Sequence, residues 1–216
     1  MKKTNRLLTF LMVFLVPALF ATPAMAEHYV AWKVGASLME IDNVEGAGTY
    51  ASETVSSSSA EDEVFVCSMA YGYNQKPVRL EVEFSLRSAF DYSADYIFSS
   101  DTAVGSISSS VNSHTIFTNV YIDLLPQKDI VPYVGGGIGI SSNTWDWKTS
   151  GWWNDQESSN EFAWNVGGGV AIKLSSHLMF DLNYRYIDLG GVKISNKLRM
   201  DNITADEIKF GLRLQF

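Results

Sequence analysis

From residue 28 to the last residue, apolar side chains recur at every second position in about eight runs, roughly 28–40, 63–74, 78–89, 113–125, 131–142, 161–174, 178–189 and 204–216. A period of two puts successive side chains on opposite faces of a strand, so each run has one oily face and one polar face. The third run is the clearest: Val78, Leu80, Val82, Phe84 and Leu86 alternate with Arg79, Glu81, Glu83, Ser85 and Arg87. Soluble strands average about five or six residues, whereas a tilted strand crossing a bilayer needs about 9–11. These runs have the second length.

Alternation alone also fits a soluble sandwich with its oily face turned inward. The connections separate the two cases. Every second one is tight: Asn74-Gln75-Lys76-Pro77, Pro126-Gln127-Lys128-Asp129 and Ser175-Ser176-His177. The others, 41–62, 90–112, 143–160 and 190–203, are long and polar. Short turns at one end and long loops at the other is the layout of bacterial outer-membrane barrels. The expected fold is therefore all-β, an eight-stranded antiparallel up-and-down transmembrane β-barrel with short periplasmic turns and long extracellular loops. The first loop, with Glu45, Glu53, Ser56 to Ser59, Glu61 and Asp62, reads as solvated and flexible. So does the second, with Asp91, Asp95, Asp101 and Ser108 to Ser110. The third is unusual, with Trp145, Trp147, Trp152 and Trp153 around Lys148 and Gly151.

Residues 1–26 read as a secretory signal peptide, which leaves 27–216 as the barrel domain. Lys2, Lys3 and Arg6 precede an apolar run from Leu7 to Ala21, and Ala24-Met25-Ala26 forms a small-residue cleavage site. That run is broken by Pro17 and is shorter than the about 20 residues of a membrane-spanning helix. Cys67 is the sole cysteine, so no disulfide within the chain is available. The net charge of −8 includes three signal cations and falls to −11 without them. So acidic a chain excludes nucleic acid as a partner class, since phosphates reward clustered Lys and Arg.

With the oily face toward lipid, Val30, Trp32, Val34 and Leu38 lie outside on the first strand and Val78 to Leu86 on the third. The sixth contributes Phe162, Trp164, Val166, Val170 and Ile172, and the seventh Phe180, Leu182, Tyr184 and Tyr186. Trp32, Tyr73, Tyr133, Phe162, Trp164, Tyr186 and Phe216 have the distribution of interfacial girdles. The interior then receives Lys33, Arg79, Glu81, Glu83, Arg87, Asp123, Lys173, Asp181, Arg185, Glu207, Lys209 and Arg213. An eight-stranded barrel is only wide enough for side chains to fill, and an unpaired charge there costs several kcal/mol. A salt-bridge network and a plugged lumen follow as expectations. Gly135, Gly137, Gly139, Gly167, Gly169 and Ala171 also face inward on this register, and are expected to leave room for long side chains from the opposite wall. No Lys-Ser/Thr follows either glycine run, so neither reads as a phosphate loop.

Asn119-Val120-Tyr121-Ile122-Asp123-Leu124, followed by Pro132-Tyr133-Val134-Gly135-Gly136-Gly137-Ile138-Gly139, resembles the central hairpin of small outer-membrane β-barrel proteins. That group includes the opacity-type surface antigens and the transmembrane domain of outer membrane protein A. Asp181 to Gly190 resembles its seventh strand. The closing strand, ending on Phe216, resembles its eighth, in which the terminal aromatic is read by the barrel-assembly machinery. The resemblance implies the outer membrane of a Gram-negative bacterium, contact with lipid and lipopolysaccharide, and a non-enzymatic role as surface antigen, adhesin or envelope stabiliser. It implies no cofactor. A host or matrix surface is the candidate partner, with the four loop tryptophans as the candidate contact.

Three other readings compete. A small porin-like channel conflicts with a narrow, charge-filled lumen. A lipid A-modifying enzyme needs a base beside a nucleophile at the rim, where only His114 with Ser113 and Thr115 stands; His28 and His177 fall at the periplasmic end. These three histidines have no metal-ligand spacing. A lipocalin-like soluble binder would invert the two faces, with an apolar cavity inside.

Overall fold

A computed structural model describes residues 28–46, 59–97, 104–149, 154–190, 192–194 and 198–216. The signal-peptide reading of 1–26, Trp152 and Trp153 lie outside the described residues. The strands are β1 (His28–Gly46), β2 (Ser59–Gln75), β3 (Val78–Arg87), β4 (Phe90–Ile97) and β5 (Val104–Asp123). They continue as β6 (Ile130–Thr149), β7 (Asn154–Lys173), β8 (Leu178–Asp188), β9 (Val192–Ile194) and β10 (Leu198–Gln215).

Every pairing is antiparallel, and the wall runs β1-β2-β3-β5-β6-β7-β8-β10, with β10 returning to β1 from Tyr29↔Gln215 to Gly46↔Leu198. Eight strands therefore close on themselves. The two extra strands are extracellular additions, β4 lying on the outer half of β5 and β9 on that of β10. The closing seam ends on a reciprocal pair: the Phe216 amide donates to the His28 carbonyl at 3.0 Å and the His28 amide to the Phe216 carbonyl at 3.3 Å.

Burial follows the strand period. Phe84, Val166 and Leu182 are 41%, 53% and 42% exposed, while Arg79, Glu83 and Arg185 are at most 1% exposed. That polarity is the inverse of a soluble β-protein and excludes the lipocalin-like reading. On β6 the outward apolar series runs from Ile130 through Val134 and Ile138 to Ile140. At ~3.4 Å per residue and ~40° tilt, those eleven positions span about 26 Å, the height of an outer-membrane hydrocarbon band.

Two outward assignments change. Val30 keeps the outward parity but is 3% exposed, bracketed across the strands by Tyr71 and Leu214. Tyr133, expected in a girdle, has the inward parity of Val131 and lies inside at 4% exposed. The expected long loops are shortened, because their flanks remain paired well beyond the oily band. The β6–β7 ladder continues to Lys148↔Asn154, so Trp145 and Trp147 belong to β6, opposite Glu157 and Asp155 of β7. Asp91 and Asp95 lie in β4, and Ser108 to Ser110 in β5. In these flanks the sequence does not alternate oily with polar residues, the pattern that marks a lipid-facing strand.

Candidate functional site: the charged interior

Three layers fill the barrel. In the middle, β1, β3, β8 and β10 bring together charges far apart in sequence. Lys33 donates to Glu81 at 2.7 Å and to Glu83 at 2.6 Å. Glu83 also accepts from Lys209 at 2.7 Å and lies 2.8 Å from Arg185. Arg185 reaches Glu207 at 2.8 Å, and Arg87 reaches the same carboxylate at 2.6 Å. Register explains the meeting: Glu207 faces Arg185 across β10–β8, and Glu83 follows Glu81 by one strand period on β3. Among the described residues six cations (Lys33, Arg79, Arg87, Arg185, Lys209, Arg213) and five anions (Glu81, Glu83, Asp123, Asp181, Glu207) are buried. The Coulomb gain in so dry a place offsets desolvation because each carboxylate is bonded, two of them by several cations.

Toward the periplasmic turns the layer is aromatic. Tyr29 donates to Glu81 at 2.9 Å, and Arg79 bonds Asp123 at 2.8 Å. The Arg79 guanidinium lies 4.9 Å from the Tyr121 ring centre and 4.6 Å from that of Tyr133, an arrangement of cation–π attraction. Arg213 bonds Asp181 at 2.6 Å beneath Tyr29. Toward the outside the layer is apolar on one wall, with Met39, Val64, Ile187, Leu189 and Ile203 all buried. On the other wall it is neutral and polar, with Ser113, Thr115, Ser141 and Asn143.

The inward glycines serve neighbouring strands rather than the opposite wall. Tyr29 faces Gly72, Tyr121 faces Gly135, Phe117 faces Gly139 and Tyr133 faces Gly169 as direct cross-strand partners. A Cβ at any of these four glycines would collide with that ring. At Gly137 it would meet the Asn119 amide, and at Gly167 the Cβ of Arg185. Each large side chain thus lies flat across the gap left by its partner, the aromatic-over-glycine pairing that stabilises strand glycines.

Lys173 departs from expectation. It has inward parity but is exposed, because it is the last residue of β7 and stands beyond the aromatic layer at the periplasmic mouth. Lys33, Arg79, Glu81, Glu83, Arg87, Asp123, Asp181, Arg185, Lys209 and Arg213 lie inside as described. The tyrosine layer and the apolar outer layer escaped the sequence reading; odd-numbered Met39, Ile187 and Ile203 continue the inward series and were the available signal.

The histidines are scattered. Ser113 and Thr115 face inward at 1% exposed, while His114 is outside and exposed, so the barrel wall separates the hydroxyls from the imidazole. His28 sits at the periplasmic seam, bonded through Nδ1 to the Tyr71 hydroxyl at 2.9 Å and stacked 6.4 Å from the Phe216 ring. His177 lies in the last tight turn beside Ser176. Among the described residues no group of three His, Cys, Asp or Glu side chains is placed to hold a metal ion.

A closed antiparallel wall, oily outside over a membrane-high band and ionic within, defines an integral β-barrel of the Gram-negative outer membrane. The chain belongs to the outer membrane protein beta-barrel domain family, whose pattern it matches over residues 12–216. It is 28% identical over 218 residues to the outer membrane protein PagN of Salmonella typhimurium, covering 91% of this chain and 90% of that one. In fold it is similar to Neisserial surface protein A, with a TM-score of 0.55 at 18% identity, covering 88% of this chain and 97% of that one. It is also similar to the outer membrane protease OmpT of Escherichia coli, with a TM-score of 0.52 at 8% identity over 91% and 100% of the two chains. Both fold likenesses concern architecture alone, and one of those neighbours is an enzyme.

Proposed function

We propose that this protein is a non-enzymatic, non-conducting surface protein, exported by a signal cleaved near Ala26-Glu27 and acting through its extracellular segments as an antigen or adhesin. What supports the reading is the filled interior. Three successive layers of packed side chains occupy the lumen, so the barrel works as an anchor and the contacts are made above it. Outer-membrane lipid and lipopolysaccharide surround the oily band. Phe216, paired and stacked on the first described residue of β1, is the residue offered to the assembly machinery. Trp145, Trp147, Trp152 and Trp153 are the contact residues of the third outer segment, since exposed aromatics supply contact area at low entropy cost. A host or matrix surface is the partner class.

Deleting residues 145–153 and measuring bacterial attachment to cultured cells and to matrix-coated plates tests this reading. Attachment is expected to fall while the barrel stays in the outer membrane. Unchanged attachment removes the third segment from the contact. A porin reading predicts regular conductance steps from the purified protein in planar bilayers, and the packed lumen predicts none.

A further inference from the structure

The periplasmic rim of the barrel has two unlike arcs. Backbone bonds set its tight turns side by side. The Asp123 amide donates to the Pro77 carbonyl at 2.8 Å, tying the β2–β3 turn to β5. The Lys173 amide donates to the Asp129 carbonyl at 2.8 Å, tying the end of β7 to the β5–β6 turn. Lys76, Lys128 and Lys173 therefore follow one another along the arc from the β2–β3 turn through β5 and β6 to β7. At ~4.8 Å between tilted strands, that arc covers about 20 Å of rim. All three lysines are exposed. Lys33 and Lys209 of the interior are paired, but none of these three has a carboxylate partner among the described residues. Asp129 is the one exposed acid at this end among the described residues.

On the membrane side of the lysines the same arc is oily. Leu124, Leu125, Ile130 and Leu174 are 50–57% exposed and adjoin the hydrocarbon-facing band. The other arc, at the seam of β10 with β1 and β2, is built differently. There His28 stacks on Tyr71, Tyr73 and Phe216, and no Lys or Arg is exposed among the described residues. Cation and oil thus coincide on one side of the rim only. Short turns face the inner leaflet, which holds glycerophospholipids rather than lipopolysaccharide. An anionic polymer of the periplasm would use the ammonium groups alone. The leucine apron beneath them favours a ligand that brings acyl chains with its negative charge.

We propose that the arc of Lys76, Lys128 and Lys173 binds anionic glycerophospholipids of the inner leaflet. The ammonium groups hold the phosphates, and the acyl chains lie along Leu124, Leu125, Ile130 and Leu174. Lysines at a membrane surface gather anionic lipid by about fivefold each, so three select strongly against a zwitterionic headgroup. This site lies at the far end of the barrel from the surface contact and stands or falls separately from it.

The test uses the full chain folded in a neutral detergent with an equimolar mixture of phosphatidylglycerol and phosphatidylcholine of matched chains. Native mass spectrometry reads the lipid retained on the folded protein. Phosphatidylglycerol is expected to exceed phosphatidylcholine by about tenfold or more. The combined variant Lys76→Gln, Lys128→Gln and Lys173→Gln should bring the two within about twofold, while arginine at the same three positions should keep the preference. Folding of each variant is verified by its migration in unheated detergent electrophoresis. The deacylated headgroup, glycerophosphoglycerol, should not displace the lipid at equal concentration. Equal retention of the two lipids by the unaltered protein overturns the proposal whatever the variants do. So does an undiminished preference in the glutamine variant. Displacement by glycerophosphoglycerol reduces the arc to a simple anion site and overturns the lipid assignment. Co-sedimentation with protein-free peptidoglycan that the glutamine variant loses, without any lipid preference, would assign the lysines to the cell wall instead.

Discussion

At the scale of single residues, Glu207 has the most to lose. It accepts from Arg87 and Arg185 and lies 3.5 Å from Lys209, with no exposed surface. Glu207→Ala strands these cations in a dry interior and is expected to destabilise the barrel by about 3–5 kcal/mol, read from urea unfolding of the detergent-folded protein. A substitution at Glu63, on the outer face of β2, should change the same midpoint very little. Gly190 tests a different constraint. A Cβ there would stand 2.8 Å from the Glu161 Cβ in a backbone conformation that costs a side chain about 1–2 kcal/mol. Gly190→Ala should therefore lower the unfolding free energy by about 1–2 kcal/mol, read as a lower urea midpoint at unchanged slope. Charged partners such as Glu81 and Lys33 were legible in the sequence as belonging to one interior, since parity assigns the face. Height along the axis was not legible, and Lys173 was misplaced for that reason. Parity also could not show that Tyr121 covers Gly135, because that depends on register between strands.

At the scale of elements, the strand most exposed to error is β10, which must find β1 across the whole chain to close the wall. Its last pair is His28 with Phe216, stacked beside Tyr71 and Tyr73. Phe216→Ala is expected to reduce the amount of folded barrel in the outer-membrane fraction of cells, with the remainder in the unfolded, protease-sensitive pool. The folded molecules that do form should unfold at nearly the wild-type urea concentration, because the ring lies at the rim and is partly exposed. Strand existence was readable wherever lipid lay on one side, as in β3, whose burial alternates along its whole length. The outer halves of β5, β6 and β7 lie where the sequence predicts loops. Ser106 to Ser110 does not alternate oily with polar, so the ladder there rests on backbone pairing the sequence does not advertise.

At the scale of the molecule, the described charge falls in zones along the barrel axis. The interior is nearly neutral, the periplasmic end carries Lys76, Lys128 and Lys173 against Asp129, and the outer segments are strongly acidic in sequence. The protein should keep its fold in cold detergent and migrate differently after boiling, because every backbone group of the membrane zone is paired around a closed ring. It should show no conductance steps in a planar bilayer; steady unitary currents would mean that the tyrosine and apolar layers do not seal.

Those two layers, above and below the ionic middle, also insulate it. Small ions from the medium cannot approach Glu83 or Glu207, so screening that fades over about 3 Å at 1 M salt never reaches their pairs. Thermal stability should stay level between about 0.05 and 1 M sodium chloride, while attractions between exposed surface charges weaken over the same range. One molecule would then respond to brine at its surface and ignore it at its centre.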